Sequence, residues 1–312
     1  MIVARVRRTL RERGLIERSM RVLAACSGGP DSAAMLVVLA RLREELGFEL
    51  DAASVDHGLR AEAAADVEIA RAQAEAAGVR FHPLRVHVAR RGSLQANART
   101  ARYEALFTLG RHLGAARIAM GHTRDDQAET VLMRVLRGAG LPGLAGIEPL
   151  RSDGVIRPLI DCRRVDVGAF AAKHCSLLAR DPSNEDAGYE RVRVRSELLP
   201  WMEREDPAVV DHLADLAEDA RAALEALAPQ VQALLDAALQ GDGSIQLSTL
   251  NAAPRATRAL ALRAWLERCT GREPGRAHLT QLERAGTHDV EVWLPEGWVV
   301  RAAAGRVRLS RS

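Results

Sequence analysis

The chain has 312 residues, 47% hydrophobic and 27% charged, with a net charge of +3. That is the balance of a globular protein long enough for about two domains, and so small a charge settles nothing about nucleic acid. With no apolar stretch of membrane length, no signal-peptide core and four cysteines (Cys26, Cys162, Cys175, Cys269) that form no C-x-x-C pair, the sequence excludes a membrane partner, a zinc ribbon and a disulfide framework, and points to the cytoplasm.

The first residues, with Arg5, Arg7, Arg8, Arg11 and Arg13, read as a helix whose arginines form a solvated face rather than an RNA contact. Arg21–Cys26 reads as a strand. It feeds Ser27-Gly-Gly-Pro-Asp-Ser32 and then a helix over Ala33–Leu42, with Gly47 as its C-cap. Residues 50–55 form a second strand ending at Asp56-His57-Gly58, and 67–78 a helix. Residues 79–88 form a third strand, at an edge because Pro83 cannot donate to a ladder. A helix over 95–113, a strand over 116–120 ending at Gly121-His122, a helix over 125–137, a strand over 155–160 and a helix over 165–174 follow. Alternation of this kind predicts an α/β fold, a doubly wound parallel sheet that binds ligands beyond the carboxyl ends of its strands. Composition shifts near 203, where an acidic stretch (Glu203 to Asp219) opens, followed by Ala/Leu-rich helix to about 239. A helix over 257–269, a hairpin of 290–294 and 298–301 around Pro295-Glu-Gly297, and a last strand at 307–309 complete a smaller, mostly helical α+β domain. The expected domains are 1–203 and 204–312.

Three expected strand ends carry polar groups, and the first is the most informative. A helix N-terminus offers unpaired N–H groups and about half a positive charge to an anion. Gly28 and Gly29 let backbone approach a phosphate, Pro30 suits a first helical turn, and Ser27 and Ser32 add hydroxyls. Asp31 would repel phosphate unless Mg²⁺ lies between them. A Walker loop is excluded, since Lys173 is the only lysine among the 44 basic residues. The second signal is Gly121-His-Thr-Arg-Asp-Asp-Gln-Ala-Glu-Thr130, where Asp125, Asp126 and Glu129 share a helix start. Their mutual repulsion calls for a cation, either Mg²⁺ or an amine substrate. Arg99 and Arg102, one turn apart beside Tyr103, suit a phosphate or carboxylate. Arg191-Val-Arg-Val-Arg195 reads either as a grip on a phosphate backbone or as the solvated face of an edge strand or helix.

The 27–32 loop resembles that of the N-type ATP pyrophosphatases, which split ATP between its α and β phosphates. Over about residues 20–202 the chain resembles the tRNA(Ile)-lysidine synthases. Besides the loop and the 121–130 stretch, the matching segments are Val55-Asp-His-Gly-Leu-Arg60, Ala98-Arg-Thr-Ala-Arg-Tyr103, Arg137-Gly-Ala-Gly-Leu-Pro-Gly-Leu144, Arg157-Pro-Leu159 and Asp181-Pro-Ser-Asn184. Thr123 stands where the family often has a second histidine, and Val192 where it has asparagine. Longer members carry a further C-terminal domain, which this sequence is expected to lack.

The resemblance implies ATP and Mg²⁺ as cofactors, free L-lysine as co-substrate, and tRNA(Ile) with a CAU anticodon as partner. In the implied reaction, the C2 oxygen of the wobble cytidine attacks the α-phosphate and expels pyrophosphate. The lysine amine then attacks C2 and expels AMP, leaving lysidine. It further implies that Ser27, Gly28, Gly29, Pro30 and Ser32, with Asp56, His57 and His122, bind the nucleotide. Asp31 would hold the metal, Asp126 and Glu129 would bind the lysine ammonium or take its proton, and Arg102 and one of Arg193 or Arg195 would steady phosphate or substrate carboxylate. Two other readings stand against it. A tRNA thiolase on the same fold would need paired cysteines and an amidotransferase an ammonia source; a non-catalytic binding module would not need the carboxylates at 31, 125, 126 and 129. Oligomeric state is left open, a homodimer included.

Overall fold

The computed structural model describes residues 1–58, 63–88, 94–179, 188–283 and 289–311. Leu59, Arg60 and the turn-rich 181–186 lie outside the described residues.

In chain order the first elements are α1 (Ile2–Glu12), β1 (Arg21–Ala25), α2 (Pro30–Leu46), β2 (Glu49–Asp56), α3 (Ala63–Ala76), β3 (Arg80–Arg85), α4 (Leu94–Leu113), β4 (Arg117–Ala119) and α5 (Arg124–Leu136). A single turn, α6 (Leu141–Leu144), precedes β5 (Val155–Ile156), α7 (Arg164–His174), α8 (Glu190–Arg193), a π-helical turn (Val194–Leu198), α9 (Leu199–Glu205) and α10 (Val209–Ala238).

The five strands are parallel, in the order β3-β2-β1-β4-β5. Strand order reverses between β1 and β4, which opens a crevice at their carboxyl ends. Alternate residues face opposite sides of the sheet. Val22, Ala24, Leu50 and Ala52 pack with α1, α2, α3 and α7, whereas Leu23, Ala53, Ile118 and Val155 pack with Tyr103 and Leu106 of α4. α2 buries Ala33, Ala34, Met35, Leu36, Val38, Leu39 and Leu42, so it is apolar nearly all round. It begins at Pro30, before the expected Ala33, because proline's fixed φ suits the first turn. Gly47 closes it at φ 72°, its N–H bonded to the Arg43 carbonyl. β3 lies at the edge, as Pro83 requires. The strand expected over 155–160 stops at Ile156, since Pro158 has no N–H for a ladder. The segment 191–195 is helical, not an edge strand. The arginines of α1 form surface ion pairs, Arg5 with Asp166, Arg7 and Arg11 with Glu45, and Arg8 with Glu12, and Arg13 just beyond the helix pairs with Asp161.

Two compact units divide the chain: 1–137 with 145–217, and 138–144 with 218–312. The division falls inside α10 rather than at 203, because Arg124 binds Asp211 and Asp215 and holds the start of that helix to the first unit. The second unit carries an antiparallel sheet in the order β6-β9-β8-β7, with β6 Ile245–Gln246, β7 Val290–Leu294, β8 Trp298–Ala303 and β9 Arg306–Arg311. Helices α11 (Leu247–Ala252), α12 (Arg255–Thr270) and α13 (Arg276–Glu283) accompany it, and its core includes Leu235, Ile245, Leu262, Trp265, Val292 and Val300. The expected hairpin forms, with positive φ at Glu296 and Gly297 in its turn.

Candidate active site

The loop after β1 is built by its own hydroxyls. The Ser27 N–H donates to Ser32 Oγ at 3.1 Å, and Ser32 Oγ donates to the Gly29 carbonyl at 3.0 Å. Gly29 is the N-cap of α2 and has no side chain to cap with, so the first N–H groups of the helix face the crevice. Gly28 has φ +79°, and a Cβ there would lie 3.0 Å from both the Asp66 carbonyl and the Ala179 Cβ. Its own carbonyl accepts from the Ala179 N–H and from Gln73 Nε2, both at 2.9 Å. Gln73, which no motif marks, thus holds the loop from α3.

Gly121 brings β4 against this loop. A Cβ there would sit 3.1 Å from the Asp31 carbonyl carbon and 3.2 Å from the Ser32 N. Glycine lets the strand end approach the first turn of α2 closely, where a side chain would press on backbone. Loop and acidic stretch therefore meet in one place.

Thr123 is the N-cap of α5, in a reciprocal capping box with Asp126. Asp126 Oδ2 accepts from the Thr123 N–H and hydroxyl, both at 2.8 Å. Thr123 is fully buried, so the residue that departs from the family pattern fixes Asp126. Asp126 Oδ1 takes Arg164 at 3.0 Å, Arg191 at 3.2 Å and Arg195 at 3.3 Å. Glu129, with no exposed surface, takes Arg164 and Arg195 on Oε1 at 2.7 Å, and Arg191 at 2.9 Å and Arg195 at 3.0 Å on Oε2. Asp125 takes the Arg164 N–H at 2.6 Å and Arg163 at 3.3 Å. The cation that the acidic cluster called for is thus supplied by the chain, as three guanidinium forks. Arg191 and Arg195 point at these carboxylates, while Arg193 donates to the Gly188 carbonyl. Arg164 opens α7 and no local pattern singles it out.

Charge in the site follows from this packing. Burial acts against the Asp126 charge, but Arg164 and Arg191 outweigh it and hold the carboxyl at about 2. Glu129 is likewise lowered, by Arg195 and Arg164 against burial. Asp31 goes the other way. Burial first, then the Asp126 charge, push it up to about 6. Burial lowers His122 to about 3, so it is neutral, and its Nδ1 has no hydrogen-bond partner among the described residues.

Asp56 ends β2 and His57 follows it at the same edge of the sheet, where Asp56 Oδ1 accepts the Gly58 N–H at 2.7 Å. Arg102 does not join the carboxylate–arginine cluster. It lies on α4 beside Tyr103, its guanidinium 5.8 Å from the ring centre. Among the described residues no group of three or more metal-ligating side chains occurs. One carboxylate plus substrate phosphates is nevertheless an ordinary Mg²⁺ site, and a divalent cation would relieve the raised Asp31, so the residues present fit one.

A parallel sheet with this strand order and a glycine-serine anion loop at its switch point define a PP-loop protein, and the PP-loop domain family matches residues 2–202. The TilS substrate binding domain family matches 245–308. The tRNA(Ile)-lysidine synthase of Symbiobacterium thermophilum is 36% identical over the whole of this chain and 69% of its own length. That of Salinispora tropica is 38% identical over 98% of this chain and 95% of its own. The chain belongs to the tRNA(Ile)-lysidine synthase family. Among solved structures, the U34-tRNA thiolase NcsA from Methanococcus maripaludis with its [4Fe-4S] cluster shares the fold, with a TM-score of 0.59 and 20% identity over 70% of this chain and 76% of that one. No helix among the described residues is long and apolar enough to cross a membrane.

Proposed function

We propose that this chain forms lysidine on a CAU-anticodon tRNA(Ile), consuming ATP and free lysine and releasing AMP and pyrophosphate. Family membership supports ATP use and a tRNA substrate. The observation that carries the chemistry is the junction at Gly121, which sets the anion loop directly against the carboxylate–arginine cluster.

The α2 N-terminus with Ser27, Gly28, Gly29, Pro30 and Ser32 takes the triphosphate, with Asp56, His57 and His122 completing the nucleotide site. Asp31 holds Mg²⁺, which supplies charge neutralisation at the phosphates. Phosphoryl transfer needs alignment and charge stabilisation more than covalent help. Arg164, Arg191 and Arg195 bring three positive charges against the two of Asp126 and Glu129, so the cluster keeps one net positive charge for the departing pyrophosphate. An incoming lysine ammonium reaches Asp126 or Glu129 by displacing one of these forks. Asp126 does not serve as its base, because a carboxyl held at about 2 accepts a proton poorly near neutral pH, and Glu129 is shifted in the same direction. The first unit, 1–137 with 145–217, holds the chemistry and the second, 138–144 with 218–312, contacts the tRNA.

The test is turnover with ATP, lysine and either a CAU- or a GAU-anticodon transcript, with the nucleoside read by mass spectrometry and the nucleotide by chromatography. Lysidine and AMP with the CAU transcript alone are expected. ADP as product, or no modified cytidine, would refute the reading.

A further inference from the structure

Most arginines described so far meet a carboxylate, but around Tyr103 three do not among the described residues. Arg99, Arg102 and Arg151 lie over the Tyr103 ring at 5.0, 5.8 and 5.3 Å from its centre, and Arg157 acts electrostatically on the same tyrosine and on Arg99's and Arg151's charges. Arg151 pairs with Asp153. Arg99, Arg102 and Arg157 form no ion pair among the described residues. Arg99 donates to the Tyr103 hydroxyl at 3.3 Å, and Arg157 donates to the backbone carbonyl of Glu148, whose carboxylate acts on it only through space. Arg157 is only 4% exposed, yet its Nε has no partner, and neither has that of half-buried Arg102. Burial lowers the pKa of both guanidinium groups, which remain charged. Arg102 and Arg157 thus bury charge with no ion-pair partner among the described residues, which is costly unless an anion joins them, and exposed Arg99 beside them adds a third fork.

The place narrows the anion. Tyr103 belongs to the α4 side of the sheet, the face opposite α2, and Arg157 directly follows the carboxyl end of β5. The triphosphate has its own cradle at α2, on the other face. His122, at the end of β4, interacts electrostatically with Asp126 and Arg191 of one cluster and with Arg157 and Arg99 of the other.

We propose that Arg99, Arg102 and Arg157 around Tyr103 form a second phosphate site, which takes a backbone phosphodiester of the anticodon loop and so holds the target nucleotide over His122. The inference rests on the tRNA reading above and deepens it. Planar arginine forks match a phosphodiester's two free oxygens, and a single-stranded loop leaves its backbone open to them.

The test measures tRNA dissociation against salt for the wild type, Arg99→Gln and Arg157→Gln, without ATP, and ATP dissociation without tRNA. Each replacement is expected to weaken tRNA binding several-fold and to lower the salt slope by about 0.7, the value for one lost contact to a single strand, while ATP affinity holds. An unchanged slope in the well-folded variants, or a loss confined to ATP, overturns the inference. Arg99 is exposed, so Arg99→Gln decides the matter if the Arg157 variant does not fold. A wild type that makes no lysidine would refute the function itself, whereas an active wild type with unaltered variants would refute this site alone.

Discussion

Asp31→Asn should make the ligand-free protein more stable while abolishing its chemistry. The Asp31 carboxyl is pushed from an ordinary 3.8 to about 6 by burial and by the Asp126 charge. A rise of about two units, at 1.36 kcal/mol each, puts the strain near 3 kcal/mol. The side chain keeps some exposure and an asparagine amide must still be accommodated, so about 1–3 kcal/mol is the expected gain. The sign follows from proton binding: the folded state holds this proton more tightly than the unfolded one. The strain is absent below about pH 4, where both states are protonated, grows between pH 4 and 6, and is complete above pH 6. Thermal melts of Mg²⁺-free and ATP-free protein at pH 8 should show the variant melting about 2–8 °C higher, with the difference vanishing toward pH 4. The same variant should form no AMP. A variant no more stable than the wild type at pH 8, or one whose advantage ignores pH, would refute the argument.

Glu129→Gln should act in the opposite direction. It leaves three guanidinium groups facing a single carboxylate, with an expected loss of about 3 kcal/mol in urea unfolding and at least a hundredfold fall in lysidine formation. Gly121→Ala presses a methyl group on the first turn of α2, where the neighbours are backbone at 3.1–3.2 Å. ATP binding should weaken about tenfold by calorimetry, with tRNA binding kept. Thr123→Val keeps the shape but removes the cap from α5, at about 1 kcal/mol. It also removes one of the two bonds that residue 123 gives Asp126 Oδ2, so lysidine formation should slow, and Thr123→Ser should restore it.

The site was legible where local chemistry leaves a mark. The Ser27–Ser32 loop is legible because a strand, two glycines and a helix start are contiguous, and Asp126 and Glu129 because they are one turn apart. Arg164 was not, because its partners lie 35 and 38 residues away and a long flexible cation carries no spacing signature. The neutral His122 and the raised Asp31 were equally hidden, since both arise from burial that only the packed sheet creates.

By itself the sequence determined the alternation of strands and helices, the edge position that Pro83 imposes, and the anion loop, all consequences of backbone rules acting over a few residues. The tertiary structure alone decided that three arginines from distant helices neutralise the acidic pair, that Thr123 serves as a cap, and that Arg99, Arg102 and Arg157 gather with no ion-pair partner among the described residues. The physical reason is range. Propensities and turns are set by neighbours along the chain, whereas charge pairing and desolvation depend on which distant side chains the fold brings within hydrogen-bonding distance.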